Sequence, residues 1–296
     1  MESKESAVAN HYKPLAIVAL AYLIAALAAI IVGYLFRHLH PVFTVLFADV
    51  AATMVVYTFG RFYRNASFYD PYWSVQPIVI VIYYVTQAIP EAVTLRQIIV
   101  VTLVFIWGLR LTFNWASQWR GLKHEDWRYR ELRQKTGGMF WLVDLLGIEL
   151  MPTILVFLGC LSLYPALSSG TNSFGVLDII AVVITAGAII IETIADEQLR
   201  RFTANKTHSG AIMDKGLWAF SRHPNYLGEV MFWWGLFLFS LAANSRYWWT
   251  VIGPAAITAL FVFFSIPMME KHSLERRPGY DEHRQHTPVL LPWFKK

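Results

Sequence analysis

The chain has a single cysteine, Cys160, and it lies inside an apolar run. That excludes an intrachain disulfide framework and a zinc site built on cysteines. Charge is also scarce. Only 15% of the 296 residues are Asp, Glu, Lys or Arg, against about a quarter in soluble domains. No glycine-rich dinucleotide fingerprint, P-loop or zinc-binding spacing occurs. A nucleotide site would therefore have to be assembled from helices and loops rather than from a Rossmann unit. Internal repeats and low-complexity tracts are lacking as well, so the chain reads as one transmembrane domain over residues 1–296.

Apolar residues are what the sequence has in abundance. They make up 56%, aromatics 16%, and mean hydropathy is +0.44. The apolar residues form long uncharged runs, the pattern of helices that cross a hydrocarbon core of about 30 Å. The expected fold is all-α and integral to the membrane, a bundle of 7–8 helices. Its helices fall near 14–36, 42–60, 77–90, 97–116, 144–167, 175–195, 227–243 and 247–268. The runs at 77–90 and 227–243 are short and call for extension into neighbouring polar segments, or for a re-entrant piece. The first run is too long for a signal peptide and counts as a membrane helix.

The basic residues test this count. Of 25 Lys and Arg, 21 fall before the first helix or after the second, fourth, sixth and eighth. Arg37, Arg96 and Arg246 fall on the other side, and Arg110 lies within a helix. Such segregation implies eight crossings with both termini cytoplasmic, in a bacterial inner membrane or the endoplasmic reticulum. Net charge of +5 then reflects inner-side loops and not nucleic-acid binding; the partners expected on this ground are membrane lipids, with no nucleic acid and no metal.

Ionisable groups within apolar runs need a reason. Arg110, Asn114 and Gln118 recur at i, i+4 and i+8 on one helix face, with Trp107 a turn earlier. They either line a cavity or, through Glu149 as partner of Arg110, lock two helices. Asp49 reads as a helix–helix hydrogen bond. In Tyr69-Asp70-Pro71-Tyr72-Trp73-Ser74, Pro71 holds Asp70 in a turn. Aromatic neighbours lower the local dielectric, which raises a carboxyl pKa and makes a proton donor; the competing reading is an Asp turn in an aromatic belt. Glu192, Asp196 and Arg200 repeat the i, i+4, i+8 spacing at a helix exit. Asp196 and Arg200 form either an ion pair or a contact for ribose or carboxamide groups.

The densest polar cluster is Ser221-Arg222-His223-Pro224-Asn225-Tyr226-Leu227-Gly228-Glu229, followed one turn on by Trp233. Ser221 suits a cap and Pro224 a first helical turn, so Arg222 and His223 flank free backbone N–H groups and a positive dipole end. That is an anion site, or an interfacial lipid anchor. Glu270, His272 and the tail to Pro292-Trp293 follow the last helix, either covering a ligand or lying on anionic lipid.

At these residues the chain resembles a known group. Asp196-Glu197-Gln198-Leu199-Arg200, Gly216-Leu217-Trp218, Ser221 through Glu229, Gly279-Tyr280 and the Pro-Val-Leu-Leu-Pro-Trp end make residues 191–292 similar to the steroid 5-alpha-reductase-like integral membrane reductases. Tyr-Asp-Pro-Tyr-Trp-Ser and Asn114-Trp115 through Trp127 resemble a bacterial-type branch. The resemblance implies NADPH held by the C-terminal helices and hydride delivery to the β carbon of an enone in a lipophilic, steroid-like substrate. It places Asp196, Asn225, Trp233 and His272 near the cofactor, and makes Asp70, with Tyr69, the substitute for a catalytic Gln-Glu pair. Arg200, Arg222, His223 and Tyr226 join the cofactor set on the anion-site argument, and Glu229 and Glu270 join it as members of the same motifs. Trp107 stands where those reductases carry a tyrosine. The Arg-His-Pro-x-Tyr-x-Gly signature is also similar to isoprenylcysteine carboxyl methyltransferase-like enzymes, whose tail Glu-Glu-x-x-Leu is half matched by Glu270-Lys271-His272-Ser273-Leu274. That implies S-adenosylmethionine and a lipid or prenylated substrate. A non-catalytic lipid or sterol binder is the third reading.

Overall fold

The structure is a computed structural model that describes residues 2–205 and 210–291, with side chains from residue 13 onward. Lys206 and the Pro292-Trp293 end, with Lys295 and Lys296, lie outside the described residues. Among the described residues every regular element is helical. In order they are α1 (Glu2–Leu35), α2 (Pro41–Tyr63), α3 (Tyr72–Thr86), α4 (Thr94–Gln118), α5 (Trp127–Thr136), α6 (Phe140–Val143), α7 (Met151–Cys160), α8 (Val176–Asn205), α9 (Pro224–Ala243), α10 (Ile252–Leu260), α11 (Ile266–Arg276) and α12 (Tyr280–His286). A π-helical segment, Asp144–Leu150, joins α6 to α7.

Seven helical stretches among the described residues are long and apolar enough to span a membrane: Lys13–Leu35, Pro41–Tyr63, Thr94–Gln118, Trp127–Ser169, Val176–Asn205, Pro224–Ala243 and Ser245–Arg276. The short run at 227–243 extends into the preceding polar cluster, because Pro224 occupies the first turn where no intrahelical N–H bond is needed. The run at 77–90 is instead α3, 15 residues from Tyr72 to Thr86. At 1.5 Å per residue that is roughly 22 Å, less than the hydrocarbon thickness. It stops before the Ile89-Pro90 dipeptide, where Pro disfavours helix and the Ile89 N–H bonds instead to the Ser168 carbonyl. Apolar side chains on outward faces stay exposed, as lipid-facing residues must: Leu23, Leu27, Ile30 and Ile31 on α1, Val183 and Ile190 on α8.

The chain falls into two compact units, Met1–Ala88 with Val104–Tyr164, and Ile89–Leu103 with Pro165–Lys296. In the first, Ala21 and Ala25 on α1 meet Ala52 and Val56 on α2, small residues that let helices approach closely. Phe68, Tyr69, Tyr72 and Trp119 complete that core. Asp49 accepts from the Tyr72 hydroxyl (2.7 Å) and from the Gln76 amide, the helix–helix bond expected of it.

In the second unit α8 and α9 pack closely, Ala188 against Gly228 and Thr185 against Gly235. A Cβ at Gly228 would lie 2.7 Å from the Glu192 Cβ and 2.8 Å from the Ala188 carbonyl oxygen, so only glycine permits this approach. Arg96, read from the sequence as a loop cation, is fully buried: its guanidinium grips Asp178 (2.6 and 2.9 Å) and the Asn172 carbonyl (3.1 Å). A buried guanidinium in a membrane protein needs such complete pairing.

Candidate functional site

Within the first unit, two polar stretches are tied together. Asn65 has an extended backbone and caps the turn Ala66–Phe68 by accepting from Ser67 N–H (2.9 Å). Its amide donates to the carbonyls of Leu122 (2.8 Å) and His124 (3.1 Å). The Glu125 carboxylate accepts from Ala66 N–H (2.9 Å), and Ser67 Oγ accepts from Asp126 N–H (3.0 Å). Arg133 neutralises Glu125 at 2.6 Å. The 65–70 turn is thus tied to the segment just after α4, while the Tyr22 hydroxyl of α1 donates to the Phe68 carbonyl (2.9 Å).

The result is a cavity of about 520 Å³. Asp70, Ser67 and Ser74 line one part, Asn114, Gln118, Arg120 and His124 another, and Trp73, Trp115 and Trp119 supply apolar walls. Trp115 and Trp119 stack with ring centroids 5.0 Å apart. Asp70 is half-buried in the turn before α3, and its Oδ1 accepts from the Tyr129 hydroxyl at 2.7 Å. Burial pushes the Asp70 carboxyl up to about 6, although the Tyr129 hydrogen bond and the nearby Arg128 charge pull it down. Arg128 itself pairs with Asp126 at 2.8 Å. A carboxyl that changes protonation near neutral pH, set in an aromatic-walled cavity, can donate a proton to a lipophilic acceptor.

Tyr69 takes a different place from its neighbour. It is buried, does not line the cavity, and its hydroxyl shares a hydrogen bond with Thr153 Oγ1 (2.8 Å). Burial holds that hydroxyl well above the ordinary tyrosine range, so it stays neutral. Of the α4 stripe, Asn114 and Gln118 line the cavity and bond to each other (2.7 Å), whereas Trp107 is fully buried and Arg110 lies off the cavity wall. The Arg110–Glu149 pair considered from the sequence does not form. Glu149 is fully buried on the π-helical segment, and neither carboxylate oxygen has a hydrogen-bond partner among the described residues.

The second unit brings the 196–229 and 269–291 stretches together, as the anion-site argument required, but commits their charges to each other. The Arg222 guanidinium contacts Glu270 Oε1 at 2.7 Å and donates to the Arg284 carbonyl (2.8 Å) and to the Thr287 carbonyl. Arg222 N–H donates to the Pro288 carbonyl (2.9 Å) and Ser221 Oγ to that of Val289 (3.1 Å). His223, with Nε2 3.5 Å from Glu270, stacks on Tyr226 at 5.3 Å, and Tyr226 meets Phe261. Arg222 therefore straps the tail to the start of α9 and is not a free phosphate clamp. Ser221 is not the cap residue; His223 is, and Ser221 Oγ accepts its N–H (3.3 Å).

The remaining residues divide similarly. Arg200 pairs with Glu197 (2.7 Å) and not with Asp196, which is half-buried. Trp233 is fully buried and donates to Glu229 Oε1 (2.9 Å). Asn225 is half-buried in the first turn of α9, with its amide uncommitted among the described residues, and His272 is half-buried on α11. Gly216-Leu217-Trp218 is pinned to the end of α8: Leu217 N–H donates to Gln198 Oε1 (3.0 Å) and the Trp218 indole to the Ala195 carbonyl (3.0 Å). A cavity of about 500 Å³ lies there, lined by Gln198, Arg201, Phe202, Asn205, Ala211, Met213, Lys215 and Gly216. Asp196 and Asn225 are not on its walls.

Sequence reasoning missed Tyr129, Ser67 and His124. The polar segment 114–127 was noted as a motif, but nothing in its spacing shows that it closes over residues 65–70.

The comparisons with known proteins agree on one point. An uncharacterized protein of Schizosaccharomyces pombe is 24% identical over 256 residues, covering 77% of this chain and 73% of the relative. No solved structure matches the chain. A family described as "Protein of unknown function (DUF1295)" matches residues 56–287, a span that includes both the Asp70 cavity and the Arg222 strap, and the chain belongs to that family.

Proposed function

We propose that this multi-pass membrane protein is a reductase acting on a carbon–carbon double bond conjugated to a carbonyl in a lipophilic molecule drawn from the bilayer. The observation that carries the proposal is Asp70: a carboxyl lifted to about 6, bonded to Tyr129, at an aromatic cavity of about 520 Å³. A conjugated reduction needs an acid to protonate or polarise the carbonyl oxygen as hydride arrives at the β carbon, and an acid near neutral pKa serves best. Tyr69 supports the turn through Thr153 and does not act on substrate. Both termini lie in the cytoplasm in this reading, which counts α3 as a crossing despite its length.

NADPH, when bound, supplies the hydride. Its polar contacts would come from Asn225, Asp196 and His272, the half-buried groups of the set. Arg222 does not fit as a phosphate ligand, because its charge is already neutralised at 2.7 Å.

That same neutralisation favours a second reading, an S-adenosylmethionine-dependent methyltransferase of a lipid or prenylated substrate. A methyl donor without phosphates needs no free guanidinium, and the Arg222–Glu270 strap links the shared signature to the half-matched tail motif. Asp70 has no evident task in that chemistry. Thermal unfolding of the purified protein with each molecule separates the two, since a ligand that binds the folded state raises stability. The reductase reading expects protection by NADPH and NADPH oxidation with one or more members of an enone panel. Protection by S-adenosylmethionine alone overturns it, and binding of either molecule without turnover leaves a lipid binder.

A further inference from the structure

The first unit holds a second cavity, of about 620 Å³, that the Asp70 chemistry does not use. Arg61, Arg64 and Arg133 line it, with Glu125, Gly137, Gly138, Phe140 and Trp141. It sits where α2 ends: Arg61 is in the last turn of α2, and Arg64 caps the helix in a left-handed conformation (φ 54°). Arg133 is held, paired with Glu125 (2.6 Å), donating to the Arg64 carbonyl (3.5 Å) and lying over the Phe140 ring (3.9 Å). Arg61 and Arg64 differ. Both are exposed, and among the described residues neither side chain makes a hydrogen bond or ion pair. Asp144, buried near Arg61 and Arg133, is the other acid close by. Three guanidiniums therefore face two carboxyls, and two of the three have no committed partner. Gly137 and Gly138 leave the cavity open, since nothing lies within 4 Å of where a Cβ would stand on either.

Apolar side chains are exposed beside these residues: Trp141 on the cavity wall is 50% exposed, and Met139 and Phe62, next in sequence to the lining residues Gly138 and Arg61, are 63% and 79% exposed. A soluble anion would leave these side chains uncovered, whereas a lipid brings acyl chains to cover them. Arginine favours phosphate through its forked donors, tryptophan favours the membrane interface, and the basic side of a membrane protein faces the leaflet rich in anionic lipid. We propose that this cavity binds the phosphate headgroup of an anionic phospholipid, with Arg61 and Arg64 as the residues that recognise it. The site is independent of the reductase reading.

Thermal unfolding of the full-length protein in neutral detergent tests it. The probes are short-chain phosphatidylglycerol, phosphatidylcholine with the same chains, and inorganic phosphate. Phosphatidylglycerol should raise the midpoint by roughly 2–4 °C at saturation, and the other two should not. The variant Arg61→Gln/Arg64→Asn should lose the response, asparagine being chosen because it tolerates the left-handed conformation. The charge-matched Lys123→Gln/Arg130→Gln, on exposed positions off the cavity, should keep it. Equal protection by phosphatidylcholine would reduce the effect to acyl chains and overturn the site. Protection by inorganic phosphate alone would make the ligand a soluble anion and overturn the lipid assignment. A response that survives in Arg61→Gln/Arg64→Asn overturns it as well. Should that double variant aggregate, Arg61→Gln alone must show at least a threefold weaker apparent affinity for phosphatidylglycerol.

Discussion

Asp70 and Glu270 are two carboxyls beside polar segments, and their surroundings differ in one respect. Asp70 is bonded to a neutral donor, the Tyr129 hydroxyl at 2.7 Å, with Arg128 nearby but already paired to Asp126. Glu270 is gripped by a guanidinium at 2.7 Å that also holds two tail carbonyls. A neutral partner leaves a buried carboxyl free to take up a proton near pH 6; a guanidinium fixes the charge and turns the pair into a structural joint. On the proposed reading, the same residue class serves chemistry in one unit, while in the other it holds the tail. The residue to look for at a reactive site is the charge whose partner cannot fully satisfy it.

Asp70→Asn tests the first half of this contrast and carries the largest expected effect. Turnover on any enone substrate should fall about 10²–10⁴-fold, the contribution of a positioned acid. Stability should move the other way. Lifting the carboxyl from its ordinary 3.8 to about 6 means the folded state binds the proton more tightly, so the wild type loses stability as pH rises between roughly 4 and 6. The loss is at most ~3 kcal/mol. Asp70→Asn should therefore be more stable than wild type at pH 7–8 by up to that amount, with the difference vanishing below about pH 4. Unchanged turnover, or an advantage that grows toward acid, would remove Asp70 from the acid role.

Arg222→Met tests the second half. Removing one member of a buried pair strands the other, at a cost of about 3–5 kcal/mol. The expected outcome is a lower unfolding midpoint for the protein without ligand. Arg222→Met/Glu270→Met should recover much of the loss, because an apolar replacement of both partners leaves no isolated charge. A variant that keeps its stability and loses only NADPH protection would reverse the assignment and return Arg222 to the phosphates.

Asn225→Ala sharpens the contrast from the ligand's side. The Asn225 amide is uncommitted among the described residues, so its loss should change stability without ligand by less than ~0.5 kcal/mol. If the amide contacts the cofactor, affinity should fall about five- to tenfold, the worth of one hydrogen bond. Thermal shift titrations with NADPH and S-adenosylmethionine read both quantities. Undiminished affinity for both would take Asn225 out of the site.

What the sequence made legible follows from the range of each signal. Helices were readable because apolar content over some twenty residues is a local property, and so was the start of α9, marked by Pro224. Helix ends were less so. α8 continues to Asn205, ten residues beyond its apolar run, because the solvated end of a helix needs no hydrophobic residues. Ion-pair partners were read poorly: Arg96 meets Asp178, 82 positions away, and Arg222 meets Glu270, 48 away. Proximity along a helix suggested Asp196 for Arg200, yet Glu197 takes it, one position further along the same helix. Asp70 stands out locally by the proline and aromatics beside it, and its candidacy as an acid rests on the resemblance. Tyr129, which bonds to it, sits 59 positions downstream and carries no local mark.

Tyr129→Phe isolates that unmarked partner and should give the smallest effect. The substitution keeps the ring and removes one hydrogen bond to Asp70. That bond stabilises the charged carboxylate, so its loss raises the Asp70 pKa above about 6, by roughly half to one on the pH scale. If the protonated carboxyl is the active form, kcat/KM falls as pH rises past this value, and in Tyr129→Phe the descending limb must move to higher pH by the same interval. The plateau at lower pH should hold within about threefold, since the acid remains in place. A purely structural Tyr129 gives the opposite pattern, a lowered plateau with the limb unmoved. Tyr129 would then support the turn in the way Tyr69 does through Thr153, and the contrast between a tunable carboxyl and a fixed one would rest on burial of Asp70 alone.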